Sequence, residues 1–252
     1  QHMKTPIKPS MMDRLADAAR QGRISRREFM SNALIAGVTA TTATGLWTSS
    51  ALSQPKSGGI YKMAQHDGNP ADTHDLGKYQ SNFEISLVHT IRSFLTMINQ
   101  DGSIGPDLAT EWSATPDATE WTFKLSDRAT FHSGAKVTAN DVVASMNYHR
   151  GEASTSAAKA LLSTVEDIVD NGDNSVTFKL AAGNADLPWL MTDYHLPICP
   201  ANADGSLNWQ SGDGCGPYKL VEAEFGVGFR LVRHEDWHLE GAYFDEIVIQ
   251  VL

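Results

Sequence analysis

A mixed α/β fold is predicted by three features of the 252-residue sequence. Short runs that alternate apolar and polar residues recur along the chain, the pattern of half-buried strands. Between them lie stretches with apolar residues at helical spacing, one opened by an N-cap signal. Gly, Pro, Asn and Asp collect at the junctions, where turns need them. The length supports a real core and more than one lobe.

The elements follow in order. GGIYKMAQ (58–65) alternates after a Gly pair and reads as the first strand. A polar loop runs from His66 to Asp75. From Asn82 to Ile98, the residues Phe83, Leu87, Ile91, Phe94 and Leu95 recur at helical spacing, with Val88 and Ile98 alongside. Asp101-Gly102 marks a turn. Asp107–Trp112 is a short segment that delivers Leu108 and Trp112 to a core. EWTFKL (120–125) alternates cleanly as a strand, and Trp112, Trp121 and Phe123 are expected in the core. Phe131–Gly134 reads as a strand end with a turn. Thr138 then caps a helix that runs to about Arg150; Asp141, at its third position, can reach back to free backbone amides and suits the helix dipole. SVTFKL (175–180) is a strand, and LPWLM (187–191) is a short helix with Pro in its first turn. Three further strands are expected at 216–221, 227–232 and 246–252. No internal repeat or coiled coil is visible.

Charge divides the chain unevenly. The net charge is -10; residues 1–53 carry +4, so the remainder carries -14. A body this acidic argues against binding nucleic acid or an anionic membrane through its folded surface. The basic N-terminus reads as an address. SRREFM (25–30) precedes an uncharged run diluted by Thr, Ser and Gly, too weakly apolar for stable membrane spanning. Arg26 and Arg27 in this setting look like a twin-arginine export signal, handled by the twin-arginine translocase. Ala51-Leu52-Ser53 supplies small residues for signal-peptidase cleavage before Gln54. The expected location is therefore periplasmic. There the only two cysteines, Cys199 and Cys215, are free to pair as a disulfide; the other reading is two buried thiols.

HEDWH (234–238) fits the H-E-x-x-H pattern of zinc hydrolases. That chemistry needs a helix, where positions i and i+4 put both imidazoles on one face with the Glu beside the metal-bound water. Here an alternating strand precedes the motif, Gly241 breaks the chain soon after, and another strand begins near Asp245. A periplasmic zinc-dependent hydrolase using His234-Glu235-x-x-His238 is thus the alternative reading, and a connection with Trp237 packed on the lobe the favoured one. Ser133 and Ser211 lack a G-x-S-x-G context. GDGCG (212–216) lacks the Lys and Ser/Thr of a phosphate loop and reads as a turn. No cofactor and no metal are expected.

The order of GGIYKMAQ, DGSIGPDLATEWSATPDATEWTFKLSDRATFHSGAKVTANDVV, NSVTFKL and GCGPYKLVEAEFGVGFRLVRHEDWH…YFDEIVIQV resembles the extracellular solute-binding proteins of bacterial ABC importers, peptide/nickel/opine type, family 5. The resemblance implies an α/β, periplasmic binding protein-like class II fold, represented by the first lobe plus an inserted small domain, with the C-terminal lobe absent. Residues 1–53 would be the extension and signal, 54–94 and 171–252 lobe I, and 95–170 the inserted domain. Where many relatives have Gly-Thr-Gly-Pro-Tyr, this chain has Gly214-Cys215-Gly216-Pro217-Tyr218, a departure that favours the Cys199–Cys215 disulfide. The implied function is non-enzymatic: capture of a peptide or similar small solute between lobes by hinge closure, and delivery to membrane permease subunits. The full-length protein would be a monomer. Gln65, His66 and Asp67 end the first strand, where open α/β sheets place ligands; Tyr194, His195, Cys215 and Gly216 complete the candidate cleft. A solute-independent scaffold or chaperone-like module is the third reading.

Overall fold

The structure, a computed structural model, describes residues 10–20, 24–51 and 56–252. It divides into a unit that ends at Lys56 and a second from Ser57 to Leu252. The first unit holds three helices, α1 (Met11–Arg20), α2 (Arg26–Ile35) and α3 (Ala40–Ala51). Ser25 opens α2 with a capping box: its hydroxyl accepts the Glu28 N–H, and the Glu28 carboxylate accepts the Ser25 N–H at 2.8 Å. Phe29 is wholly buried, with the Trp47 ring centroid 5.5 Å away, and Ala19, Ala33 and Ala43 share that small core. Arg26 and Arg27 are exposed in the first turn of α2. The expected cleavage point before Gln54 lies outside the described residues.

The second unit contains β1 (Ile60–Gln65), α4 (Asn82–Ile91), β2 (Thr96–Ile98), β3 (Ile104–Pro106), β4 (Ala109–Ala114), β5 (Glu120–Leu125), α5 (Ala139–Tyr148), β6 (Val165–Asp170), β7 (Ser175–Leu180), α6 (Leu187–Leu190), β8 (Tyr218–Glu224), β9 (Gly228–Arg233) and β10 (Glu246–Val251). The mixed α/β expectation holds, with two corrections to elements. The helix expected to reach Ile98 stops at Ile91. Arg92 turns to extended geometry, the Phe94 N–H donates to Asp107 Oδ2 at 2.7 Å, and residues 96–98 pair with 104–106 around the Asp101-Gly102 turn. The strand β6 was not expected, because VEDIVD places three carboxylates among its apolar residues.

Two four-stranded sheets organise this unit. One runs β4-β5-β7-β6, wholly antiparallel. It packs against α5 through Phe123, Val176, Phe178, Val142 and Met146, all fully buried. Trp112 and Trp121 are only partly buried against this core, and Trp121 Nε1 spends its hydrogen bond on the Asn184 carbonyl at 2.9 Å. The border expected between residues 170 and 171 falls in the β6–β7 hairpin, so this sheet closes at Leu180. The α5 capping box forms as expected, with the Thr138 N–H donating to Asp141 at 2.7 Å.

The other sheet runs β1-β10-β9-β8, with β1 parallel to β10 and the rest antiparallel. Alternate residues Phe229, Leu231 and Ile249 face α4, where Phe83, Leu87 and Ile91 meet them. The Phe83 and Phe229 rings stack at 4.4 Å. Burying one such side chain contributes about 1.5–3 kcal/mol. The opposite face carries Arg230, ion-paired with Glu222 and Glu246.

Candidate functional site

The candidate site begins where β1 ends. Gln65 is half-buried, and its amide donates to Ser86 Oγ on α4 at 2.7 Å. His66 is exposed. Asp67 turns back onto the start of α4: its carboxylate accepts the Asn82 N–H at 2.7 Å, the Asn82 side-chain amide at 2.8 Å and the Phe83 N–H at 3.2 Å. These bonds, the Asn82 backbone first, hold its carboxyl below the ordinary range. Ser81 and Glu84 form a capping box at the same helix end. Buried Glu84 also accepts the Thr73 and Gln80 N–H groups, both at 2.9 Å, lashing the 66–81 loop to the helix. Around Asp67, Asn69, Asp72, Lys78, Ser81 and Glu84 lies an open, polar concavity of about 530 Å³. Of these lining residues only Asp67 is expected from the sequence; the capping signal Ser81-x-x-Glu84 points to Ser81 and Glu84.

Tyr194 and His195 reach the same loop from its far end. His195 is buried, with Nδ1 2.8 Å from Asp193 Oδ1 and Nε2 3.1 Å from the Tyr79 carbonyl. Tyr194 is half-buried and tilted over the His195 ring at 4.1 Å. His195 thus ties the 66–81 loop to the segment after α6, and of this pair only Tyr194 keeps partly open surface.

Cys215 and Gly216 lie apart, beneath the end of α4. Glycine is required on both sides of Cys215. A Cβ on Gly214 would fall on the Ile91 carbonyl oxygen, and one on Gly216 would stand 2.6 Å from the Arg92 nitrogen. The Gly216 N–H donates to Ile91 O at 3.0 Å. Its carbonyl faces two imidazoles, His132 Nε2 and His234 Nδ1, each at 3.1 Å. Burial pushes His132 down to about 4 and lowers His234. The Gly216 backbone is therefore fully engaged and Cys215 is wholly buried, so neither offers a group to a solute here. The expected disulfide is corrected: Cys199 and Cys215 are two free thiols. Each side chain sits in a different apolar cluster, Cys199 with Leu76 and Phe94, Cys215 with Leu95 and Ile198. The Cys215 thiol turns to the Ile198 carbonyl at 3.8 Å. Burial raises the Cys199 thiol to about 11.

Among the described residues, Arg92 is the largest fully buried side chain. Its guanidinium meets only neutral oxygens: His74 O at 3.3 Å, Tyr79 Oη at 2.9 Å and Trp209 O at 3.2 Å. It clamps the 66–81 loop and the Trp209–Gly216 segment around the end of α4.

The HEDWH run forms a turn after β9, not a helix. His234 is held by the Gly216 carbonyl, whereas His238 Nε2 lies 3.0 Å from Asp107 Oδ1, on the far side of the chain's order. The imidazoles serve different partners and are both buried, while Glu235 and Asp236 between them are exposed, so the motif is the expected connection, clasped to the lobe by its two histidines. Trp237 is partly buried beside it. Among the described residues, no three His, Cys, Asp or Glu side chains gather as a metal site requires.

Comparison with known proteins follows from this architecture. A family model, "Bacterial extracellular solute-binding proteins, family 5 Middle", matches residues 103–252. The chain is 25% identical over 222 residues to a probable peptide ABC transporter periplasmic-binding protein of Sinorhizobium fredii, covering 85% of this chain and 40% of the relative. It is 28% identical over 171 residues to the HTH-type transcriptional regulator SgrR of Pectobacterium atrosepticum, covering 67% and 29%. Among solved structures it is similar to the binding protein AgaA of A. tumefacien R10 in complex with agropinic acid, at 25% identity and a TM-score of 0.69, covering 77% of this chain and 40% of that one. The oligopeptide-binding protein AppA of Bacillus subtilis, in complex with a nonapeptide, aligns at 20% identity and the same TM-score of 0.69, covering 79% and 41%. The chain thus spans less than half the length of these relatives. With the family model matching more than half of its residues and the fold agreeing, the chain belongs to the bacterial extracellular solute-binding proteins of family 5.

Proposed function

We propose that the chain is part of the solute receptor of a bacterial ABC importer, which captures a peptide or a similar small solute between lobes and delivers it to membrane permease subunits. The observation that carries this reading is the family match over residues 103–252 on a fold shared with binding proteins solved with a nonapeptide and with agropinic acid. The open polar concavity at the end of β1 supports it, since ligands of open α/β sheets gather beyond strand C-terminal ends. The exposed His66 and partly open Tyr194 are the side chains left to meet a solute; Gln65, Asp67 and His195 position the loop between them. The β1-β10-β9-β8 sheet with α4 is assigned to lobe I, and the β4-β5-β7-β6 sheet with α5 to the inserted domain. Residues 1–53 are assigned to an export leader with Arg26 and Arg27 as its twin-arginine signal, the receptor acting in the periplasm as a monomer. No helix among the described residues is long and apolar enough to cross a membrane.

The test is a thermal-shift panel on the complete gene product with di-, tri- and oligopeptides and opines. A cognate solute at a hundredfold its Kd adds about 2.7 kcal/mol of stability and raises the midpoint accordingly. Failure of every peptide and opine to move the midpoint would overturn the assigned solute class.

A further inference from the structure

A second concavity, of about 630 Å³, opens at the C-terminal end of α5. That volume falls within the range of small-molecule sites. Leu162 and Val165, both almost wholly buried, form an apolar floor. Arg150, Lys159 and Ser163 stand on its walls. The two cations share one feature: their bonds within the protein go to neutral oxygens. Arg150 donates through Nη1 to Asn147 Oδ1 at 2.6 Å, and through Nη2 to the Val165 and Glu166 carbonyls at 2.6 and 2.7 Å. Lys159 Nζ donates to the Glu152 and Ser154 carbonyls at 3.0 and 3.3 Å.

Among the described residues no carboxylate pairs with either cation. Asp167 acts on Arg150 only at a distance, and its own Oδ1 accepts the Ile168 N–H at 2.9 Å. Glu152 lines the rim with its side chain exposed. A guanidinium carries five N–H donors and an ammonium three. Three on Arg150 and two on Lys159 are used within the protein, so each cation retains donors for a ligand. Carbonyl partners hold both groups in place without neutralising them, in a body whose residues beyond 53 carry a net charge of -14. Elsewhere on this unit Lys78, Arg230 and Arg233 do meet carboxylates.

We propose that this concavity binds a small carboxylate with a short apolar body. Arg150 and Lys159 hold the carboxylate, by charge-assisted hydrogen bonds that are about twice as strong as neutral ones. Leu162 and Val165 take the apolar body. The site belongs to the sheet that carries β6 and α5, and it is independent of the concavity at the end of β1; it does not rest on the receptor reading.

Butyrate tests the proposal, with butyramide as its uncharged counterpart and inorganic phosphate as an anion without an apolar body. Amide resonances of Gly151 and Ser163 are followed by NMR during titration of the full chain. Butyrate should give saturable shifts, butyramide none, and phosphate weaker shifts than butyrate. Lys159→Gln, an exposed substitution whose fold is checked by circular dichroism, should weaken butyrate at least tenfold. Arg150→Gln should weaken it further, but it also frees two carbonyls, so Lys159→Gln decides. Equal response of wild type and Lys159→Gln, an equal response to butyramide, a response to phosphate alone, or no saturable shift with butyrate overturns the proposal.

Discussion

The two four-stranded sheets of the second unit are built on opposite principles. The β4-β5-β7-β6 sheet closes within residues 109–180 by antiparallel pairing, around a continuous core centred on Phe123 and Phe178. The β1-β10-β9-β8 sheet must bring Ile60–Gln65 to Glu246–Val251 in parallel register, and β1 is its edge. Loop-closure entropy makes the second arrangement the more dependent on everything between its strands. The comparison teaches that the first sheet depends less on pairing between distant strands, although its core also takes in Leu95, Leu187 and Ile198. The second sheet, with the 66–81 loop that frames the candidate site, borrows its stability from packing against α4.

The largest effect should come from breaking each core in turn. Phe123→Ala and Phe229→Ala should each cost about 3–5 kcal/mol. Native-state hydrogen exchange should show Phe229→Ala deprotecting β1 and β10 while β5 and β7 stay protected, and Phe123→Ala deprotecting both sheets. Loss of protection in β5 and β7 with Phe229→Ala would break the comparison.

Acid should sharpen it next. Burial pushes His74, His132 and His149 from 6.5 to about 4 in the folded protein. Below pH 6.5 the unfolded chain therefore binds protons that the folded chain refuses. Stability should fall as pH drops from about 6.5 to about 4, by up to about 1.4 kcal/mol per pH unit for each histidine. Denaturant unfolding at pH 7, 6 and 5 measures the slope. His132→Gln should flatten it, because it removes one of the imidazoles that burial keeps unprotonated in the folded protein.

The smallest effect concerns the site. Asp67→Ala removes the acceptor for the Asn82 and Phe83 N–H groups, and should lower the melting midpoint by about 2–4 °C without solute present. A midpoint unchanged in the free protein, with solute binding lost, would instead make Asp67 a ligand contact rather than a cap.

Legibility followed locality. The Thr138–Asp141 capping box, the alternating 120–125 and 175–180 strands and the Pro188 helix were readable because a few neighbouring residues determine them. The end of α4 was not, because Phe94, Leu95 and Ile98 keep helical spacing while Asp107, thirteen residues on, supplies the bond that diverts the chain. For HEDWH the flanking strands and Gly241 made a connection legible, but the partners of its histidines, Gly216 and Asp107, are distant and were not. Among the candidate site residues, strand-end position was legible for Gln65, His66 and Asp67, whereas their engagement was not.

The sequence by itself therefore determined the mixed α/β class, most strand and helix positions, and the family resemblance, because these rest on periodicity, capping and turn chemistry within short windows. Only the tertiary structure decided that β1 pairs in parallel with β10, that Arg92 lies buried among neutral oxygens, and that Cys199 and Cys215 occupy separate apolar clusters as thiols. The physical reason is common to all three. A buried group's partners are set by which distant backbone and side-chain atoms close around it, and neither spacing nor composition carries that information.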